Sequence, residues 1–366
     1  MFMEAIGIIC EYNPFHNGHL YHIEKVRSMF PGAVIVLVLG GYFLERGEVS
    51  VMSKWSKTAL ALKYGVDLVV ELPVLFGTNA GDYFAYYAVK ILNECGVKRI
   101  VFGSESDDVV LLTNIATLQN DPEFNEKVKK ELKNGSNYPT SLAGVLEVKL
   151  ESNDLLGVSY IKAIQSINPE IEPVTIKRTN DFNDLDDDDR IVSAQNIRKK
   201  LEDGHEIANY IPDYDINLIN KIDYEKLFAL LRFRILTEKD LSRFLGVDEG
   251  LENKLKDVIR DVGSYDELLE SIKSKRYTTS RLRRMLVHIL LGIEKEDMQE
   301  ELMESRILGF NSIGKNYLKE LKNKNLVYKS DGRIKDIEEV AALLYRELTK
   351  DESIEFEFLN KPIIKD

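Results

Sequence analysis

An unbroken apolar run, Ala5-Ile6-Gly7-Ile8-Ile9-Cys10, feeds into a turn bearing two histidines and then into a helical pattern, an order that few folds accept. The run is short and β-branched, as a strand buried on both faces requires. After it, Leu20, Ile23 and Val26 recur at helical spacing, the mark of a helix lying on a sheet. Between them stands Asn13-Pro14-Phe15-His16-Asn17-Gly18-His19. A helix starting there presents unpaired amides and the positive end of its dipole, which favour an anion, phosphate above all. Gly18 allows close approach to the backbone, and His16 and His19 add donors at the same place. The junction predicts a nucleotide site.

The strand signal repeats in residues 34–39, 68–72, 100–102 and 172–176. Helical patterns lie between, for example over 82–93, where Phe84, Ala88, Ile91 and Leu92 share one side. This alternation predicts an α/β fold, a doubly wound parallel five-stranded sheet with ligands at the carboxyl ends of its strands. Gly40-Gly41, Pro73 and Gly103-Ser104 also follow strands and could line the same crevice. Beyond Tyr210-Ile211-Pro212, strand-like runs nearly vanish. Amphipathic helical patterns take over at 225–236, 241–245, 251–262, 281–291 and 340–348. The expected organisation is a nucleotide-binding domain over residues 1–211 and a mainly helical domain over 212–366, a length that suits two domains.

No apolar run approaches the ~20 residues that span a bilayer, and the first residues lack the basic and apolar regions of a secretory signal. Cys10 and Cys95 offer neither metal spacing nor a disulfide framework. A cytoplasmic protein without a membrane partner is expected. The net charge of −12 argues mildly against nucleic acid, but the charge is uneven. Asp186-Asp187-Asp188-Asp189 concentrates acid, whereas residues 273–284 hold six cations and no carboxylate. Local patches decide where phosphates bind.

His16 and His19, three apart at a helix start, suit attack on the α-phosphate of ATP, where charge on the phosphoryl oxygens needs fixed donors. Two surface histidines on a helix cap, or a zinc site completed by His22, are the alternatives. Arg46 and Lys54 could neutralise phosphate oxygens, or lie in a solvated loop anchored by Trp55. Ser193-Ala194-Gln195-Asn196-Ile197-Arg198 reads as a capped helix start, either ordinary or gripping phosphates, and Lys177-Arg178 ends a strand opposite. Tyr83, Phe84, Tyr86 and Tyr87 read as packing residues. Lys275, Arg276, Tyr277, Arg281, Arg283 and Arg284 stand ahead of an apolar helix. Their cations suit an RNA backbone and Tyr277 a stacked base, with a solvated basic face as the alternative.

Residues 7–22 resemble the nucleotide-binding motif of the HIGH-type nucleotidyltransferase superfamily, which adopts a Rossmann-like (HUP) fold. Residues 9–22, 47–72, 153–163, 223–236, 247–256, 265–292 and 308–321 together resemble the tRNA(Met) cytidine acetate ligases. That resemblance implies an enzyme that activates acetate with ATP as acetyl-adenylate and acetylates N4 of the wobble cytidine of elongator tRNA(Met). It implies ATP binding by Gly7, Ile8, Ile9, Cys10, Glu11, Tyr12, Asn13, Pro14, Phe15, His16, Asn17, Gly18, His19 and Leu20, with Gly103, Asn153 and Arg178. His16 and His19 would stabilise the transition state, Mg²⁺ would bridge phosphates, and residues 273–284 would grip tRNA. The chain departs from the family pattern at Tyr42, Glu45, residues 179–183 and Gln195-Asn196. Two other classes stay open: a small-molecule adenylyltransferase acting without RNA, and a non-enzymic RNA-binding protein that senses ATP.

Overall fold

A computed structural model describes residues 3–133, 138–146, 148–178, 191–359 and 361–366. The aspartate run 186–189 and the departure at 179–183 lie outside them. The five expected strands form: β1 (Ala5–Cys10), β2 (Val34–Gly40), β3 (Leu68–Leu72), β4 (Arg99–Ser104) and β5 (Glu172–Lys177). They are parallel in the order β5-β4-β1-β2-β3, so the chain winds outward from β1 and then returns to its other side. That reversal puts the switch point, where ligands bind in such sheets, between β1 and β4. β1 pairs with β2 along its whole length, but with β4 only at Ile6↔Arg99 and Gly7↔Ile100. The carboxyl halves of β1 and β4 are therefore free to flank a ligand.

Every residue of β2 is buried, which explains its uninterrupted aliphatic sequence. Gly7 has a packing reason of its own. A Cβ there would come within 2.7 Å of Leu92 Cδ1, so the glycine seats the helix Gly81–Glu94 against β1.

The sheet is wider than expected. Residues beyond 211 are expected to be mainly helical, and they also add β6 (Ser305–Asn311), β7 (Leu326–Val327) and β8 (Ile363–Lys365). β6 runs antiparallel to β3, and both β7 and β8 pair parallel with β6. Two residues hide β6 from a reading by pattern. Arg306 breaks its apolar run although only 4% exposed. Gly309 lacks a side chain because a Cβ there would meet Ile363 O and Thr58 Cγ2 at 2.8 Å.

The buried Arg306 belongs to a charge cluster that joins both parts of the chain. Lys54 Nζ, fully buried, bridges Glu71 and sits 2.8 Å from both Glu338 and Glu357. Arg306 pairs with Glu357, and Tyr42 donates to the same carboxylate at 3.0 Å. Burial works against the charge on Lys54, yet Glu338, Glu357 and Glu71 hold its pKa above the ordinary value. Lys54 is thus neither a phosphate ligand nor part of a solvated loop. These carboxylates are the only group of three potential metal-ligating side chains among the described residues, and two cations already fill their midst. The main apolar core runs from Ala5 in β1 to Ile354 near the end of the chain, with two smaller clusters around Ile197 and Phe124. Among the described residues no helix is long and apolar enough to cross a membrane.

Candidate active site

At the switch point lies a cavity of about 780 Å³, the size of pockets that take a nucleotide-sized ligand. Ile9 and Cys10 from β1, Phe102 and Gly103 from β4, and Ile176 and Lys177 from β5 with Arg178 just after it line one side. The turn after β1 supplies Glu11, Tyr12, Asn13, His16, Gly18 and His19. Gly7, Ile8, Pro14, Phe15, Asn17 and Leu20, the other members of the expected 7–20 stretch, do not line it.

Local chemistry sets the turn. Tyr12 adopts φ 49°, a left-handed conformation unusual for a bulky side chain. It is held by edge-on packing against Phe15 and His19, with ring centroids 4.8 and 4.6 Å away. His16 then caps the helix Asn17–Met29. Its Nδ1 accepts from Gly18 N at 3.0 Å, and its own N–H donates to His19 Nδ1 at 3.2 Å. The two imidazoles therefore cap one helix reciprocally, their centroids 3.8 Å apart. Because each Nδ1 accepts, each neutral ring carries its proton on Nε2, a donor for whatever fills the cavity.

Electrostatics keep both rings neutral. Burial, then Arg178 and Arg198, push His16 down to about 3. Burial, then His16, His22 and Arg178, hold His19 well below the usual histidine range. His22 falls to about 4 through burial and Arg178, and its Nε2 is buried without a partner. Among the described residues the three histidines form no metal-binding group.

Gly18 is required by His16. A Cβ there would lie 2.7 Å from His16 Cε1. Gly18→Ala is therefore expected to displace the imidazole and lower ATP turnover about 10²-fold while leaving the thermal unfolding midpoint near that of the wild type. Steady-state kinetics beside a melting curve would check this.

Residues distant in sequence converge opposite. Arg178 lies over Gly103, where a Cβ would sit 3.4 Å from its Cγ, and its Nη1 is 3.5 Å from Asn153 Oδ1. Glu105 accepts from Asn153 Nδ2 and, at 3.1 and 3.0 Å, from the backbone amides of Asn153 and Asp154. It thereby caps the helix Ser152–Ile167, and Asp154 returns the favour to the amides of Glu105 and Ser106. Glu105 and Asp154 carried no pattern in the sequence, because their partners are backbone amides some 50 residues away. Ser193 does cap the helix Ala194–Glu202, and Ser193, Ala194, Gln195 and Arg198 all face the cavity. Of the tyrosine cluster, Phe84 is core and Tyr87 stacks on Phe76, but Tyr83 and Tyr86 are exposed.

A family model described as HIGH Nucleotidyl Transferase matches residues 3–354. The chain belongs to that family. A HIGH nucleotidyl transferase relative from Acetivibrio thermocellus, named tRNA(Met) cytidine acetate ligase, is 37% identical over 362 residues, covering 89% of this chain and 87% of its own. One of the same name from Bacillus licheniformis is 36% identical, covering 87% and 85%. Among solved structures, Thermotoga maritima TmcAL bound with alpha-thio ATP superposes with a TM-score of 0.86 at 30% identity, covering 99% of each chain. Its apo form gives 0.88 with the same coverage.

In this HIGH nucleotidyl transferase the basic segment reaches the cavity through one loop. Gly47, at φ 70°, presses on the helix Thr279–Leu291, and a Cβ there would collide with Arg284 N at 2.3 Å. Glu48 bridges Arg198 at 2.6 Å and Arg283 at 2.9 Å, while Glu45 holds Arg284 at 2.9 Å. Arg284 is mostly buried there. Tyr277 is only 9% exposed, its hydroxyl on Glu249 and its ring covered by Arg281 at 4.3 Å. Lys275 and Arg276 are exposed, and Arg276 meets Glu249 at 2.8 Å.

Proposed function

We propose that this chain is an ATP-dependent ligase that converts acetate to acetyl-adenylate and transfers the acetyl group to N4 of the wobble cytidine of elongator tRNA(Met). The name shared by its relatives supports the substrate, and the ATP analogue bound by TmcAL supports the nucleotide. The observation in this chain that carries the reading is the Arg198–Glu48–Arg283 bridge. It sets an RNA-suited basic segment one side chain from a phosphate-suited cavity.

Acetate attacks the α-phosphorus and pyrophosphate leaves. Charge building on the phosphoryl oxygens meets the Nε2–H groups of His16 and His19, fixed beforehand by their mutual capping. Arg178, steadied by Asn153, and Arg198 add positive field from the rims. No cluster of three ligating side chains lies in the cavity among the described residues. Mg²⁺ would then enter with the triphosphate and would supply neutralisation of phosphate charge. Lys275, Arg276 and Arg281 at the outer end of the basic segment would meet the RNA backbone.

Protein, ATP, labelled acetate and total tRNA should yield N4-acetylcytidine after digestion of the RNA, and its absence would end this reading. Binding should also respond to charge: Lys275→Glu with Arg281→Glu is expected to weaken tRNA binding and reduce the salt slope by about 1 per lost contact, measured by gel shift across salt. A small-molecule adenylyltransferase would keep its turnover in that double variant and ignore tRNA.

A further inference from the structure

We propose that Glu11 is the general base of the transfer step, taking the proton that the exocyclic amine loses as it attacks the mixed anhydride. This inference rests on the ligase reading above.

Four carboxylates line the cavity: Glu11, Glu45, Glu48 and Asp82. Glu45 is neutralised by Arg284, Glu48 by Arg198 and Arg283, and Asp82 by Lys162 at 2.6 Å. Among the described residues no lysine or arginine forms a salt bridge with Glu11. Its Oε1 accepts from Glu45 N at 2.7 Å, which fixes the carboxyl plane, and no donor of the described residues reaches Oε2. The side chain lies along bare backbone, since a Cβ on Gly40 would stand 3.3 Å from Glu11 Cγ. Beneath it the buried Lys57 Nζ donates to the carbonyls of Glu11 at 3.0 Å and of Gly40 and Gly41 at 2.7 Å. Glu11 is thus a held, cavity-lining carboxylate with one oxygen that no donor of the described residues engages.

The histidines cannot fill this role. Each Nδ1 is engaged with a backbone amide and each Nε2 carries its proton. Glu11 suits it better. Burial, together with Glu45 and Glu48, pushes its carboxyl well above the ordinary glutamate range, against the Glu45 amide and the charge of Lys57, whose own pKa burial lowers. Cys10 and Tyr160 are the other titratable groups that feel it. A carboxylate made more basic by burial suits an amine of low basicity, whose proton becomes acidic only as the bond forms. In the step, the N4 lone pair forms the C–N bond to the acetyl carbon. The C–O bond to the phosphate breaks, AMP leaves with that electron pair, and the N4 proton passes to Glu11 Oε2.

The test separates the two half-reactions in the full chain. Wild-type transfer from adenylate formed in the site, followed in a single turnover after tRNA addition, should rise with pH above the ordinary glutamate range. Glu11→Gln should slow transfer about 100-fold or more and lose that rise, and its acetate-dependent ATP–pyrophosphate exchange should fall at least about tenfold less than transfer does. Gly40→Ala, which crowds the side chain, should likewise slow transfer more than exchange. Parallel loss of both reactions in Glu11→Gln, or a retained pH rise, would overturn the proposal. Wild-type protein that shows no acetate-dependent exchange would instead fail the ligase reading itself.

Discussion

His19→Ala is expected to lower acetate-dependent ATP–pyrophosphate exchange by about 10²–10³-fold, and His16→Ala by a similar factor, the usual cost of deleting one preorganised donor to a developing oxyanion. Both rings are neutral across the physiological range, because burial and neighbouring arginines hold their pKa values far below it. Exchange in the wild type should therefore show no histidine titration between about pH 6 and 8. Both variants should also lose stability. Each ring supplies half of the cap on one helix start, so loss of either should cost about 1 kcal/mol more than an ordinary surface change. Wild-type-like exchange in either variant would remove that histidine from the chemistry.

The second large effect concerns folding. Lys54→Met should destabilise the protein by about 3–5 kcal/mol, read as a lower urea midpoint, because it strands buried carboxylates whose countercharge it supplied. Glu71 shows how fine the balance is: burial, then Glu338, already push its carboxyl above the ordinary range. Adding Glu357→Gln to Lys54→Met should recover part of the loss, since the uncompensated charge falls by one. An unchanged midpoint in Lys54→Met would mean that Arg306 alone satisfies the cluster.

How much of this could be read from residues depends on where the partners lie. β1 to β4 were legible because largely buried strands need near-continuous aliphatic runs, whereas β5 at the sheet edge is only partly buried and showed as a short apolar stretch. The histidine pair was legible because capping acts over three residues, all contiguous. β6 was not, because its arginine is compensated by carboxylates at positions 71 and 357, which no local window contains. Lys54 failed for the same reason: a lone lysine reads as solvated until its three acids, two from the far end of the chain, are brought together. Asn153 came only from family resemblance, Arg178 also from its place at a strand end, and the structure does set them side by side with Gly103. The basic segment was visible as composition, but not its division between exposed cations and arginines spent on Glu45 and Glu48.

The antiparallel seat of β6 on β3 bears on how the chain is made. While a ribosome is still extending it, the first five strands can assemble, but β3 shows an uncovered aliphatic margin until the segment beginning at Ser305 has emerged. Such a margin invites pairing with other nascent chains. Expression of the amino-terminal half alone should therefore give self-associating material, and synthesis slowed within the helical stretch should demand more chaperone than synthesis slowed after β6.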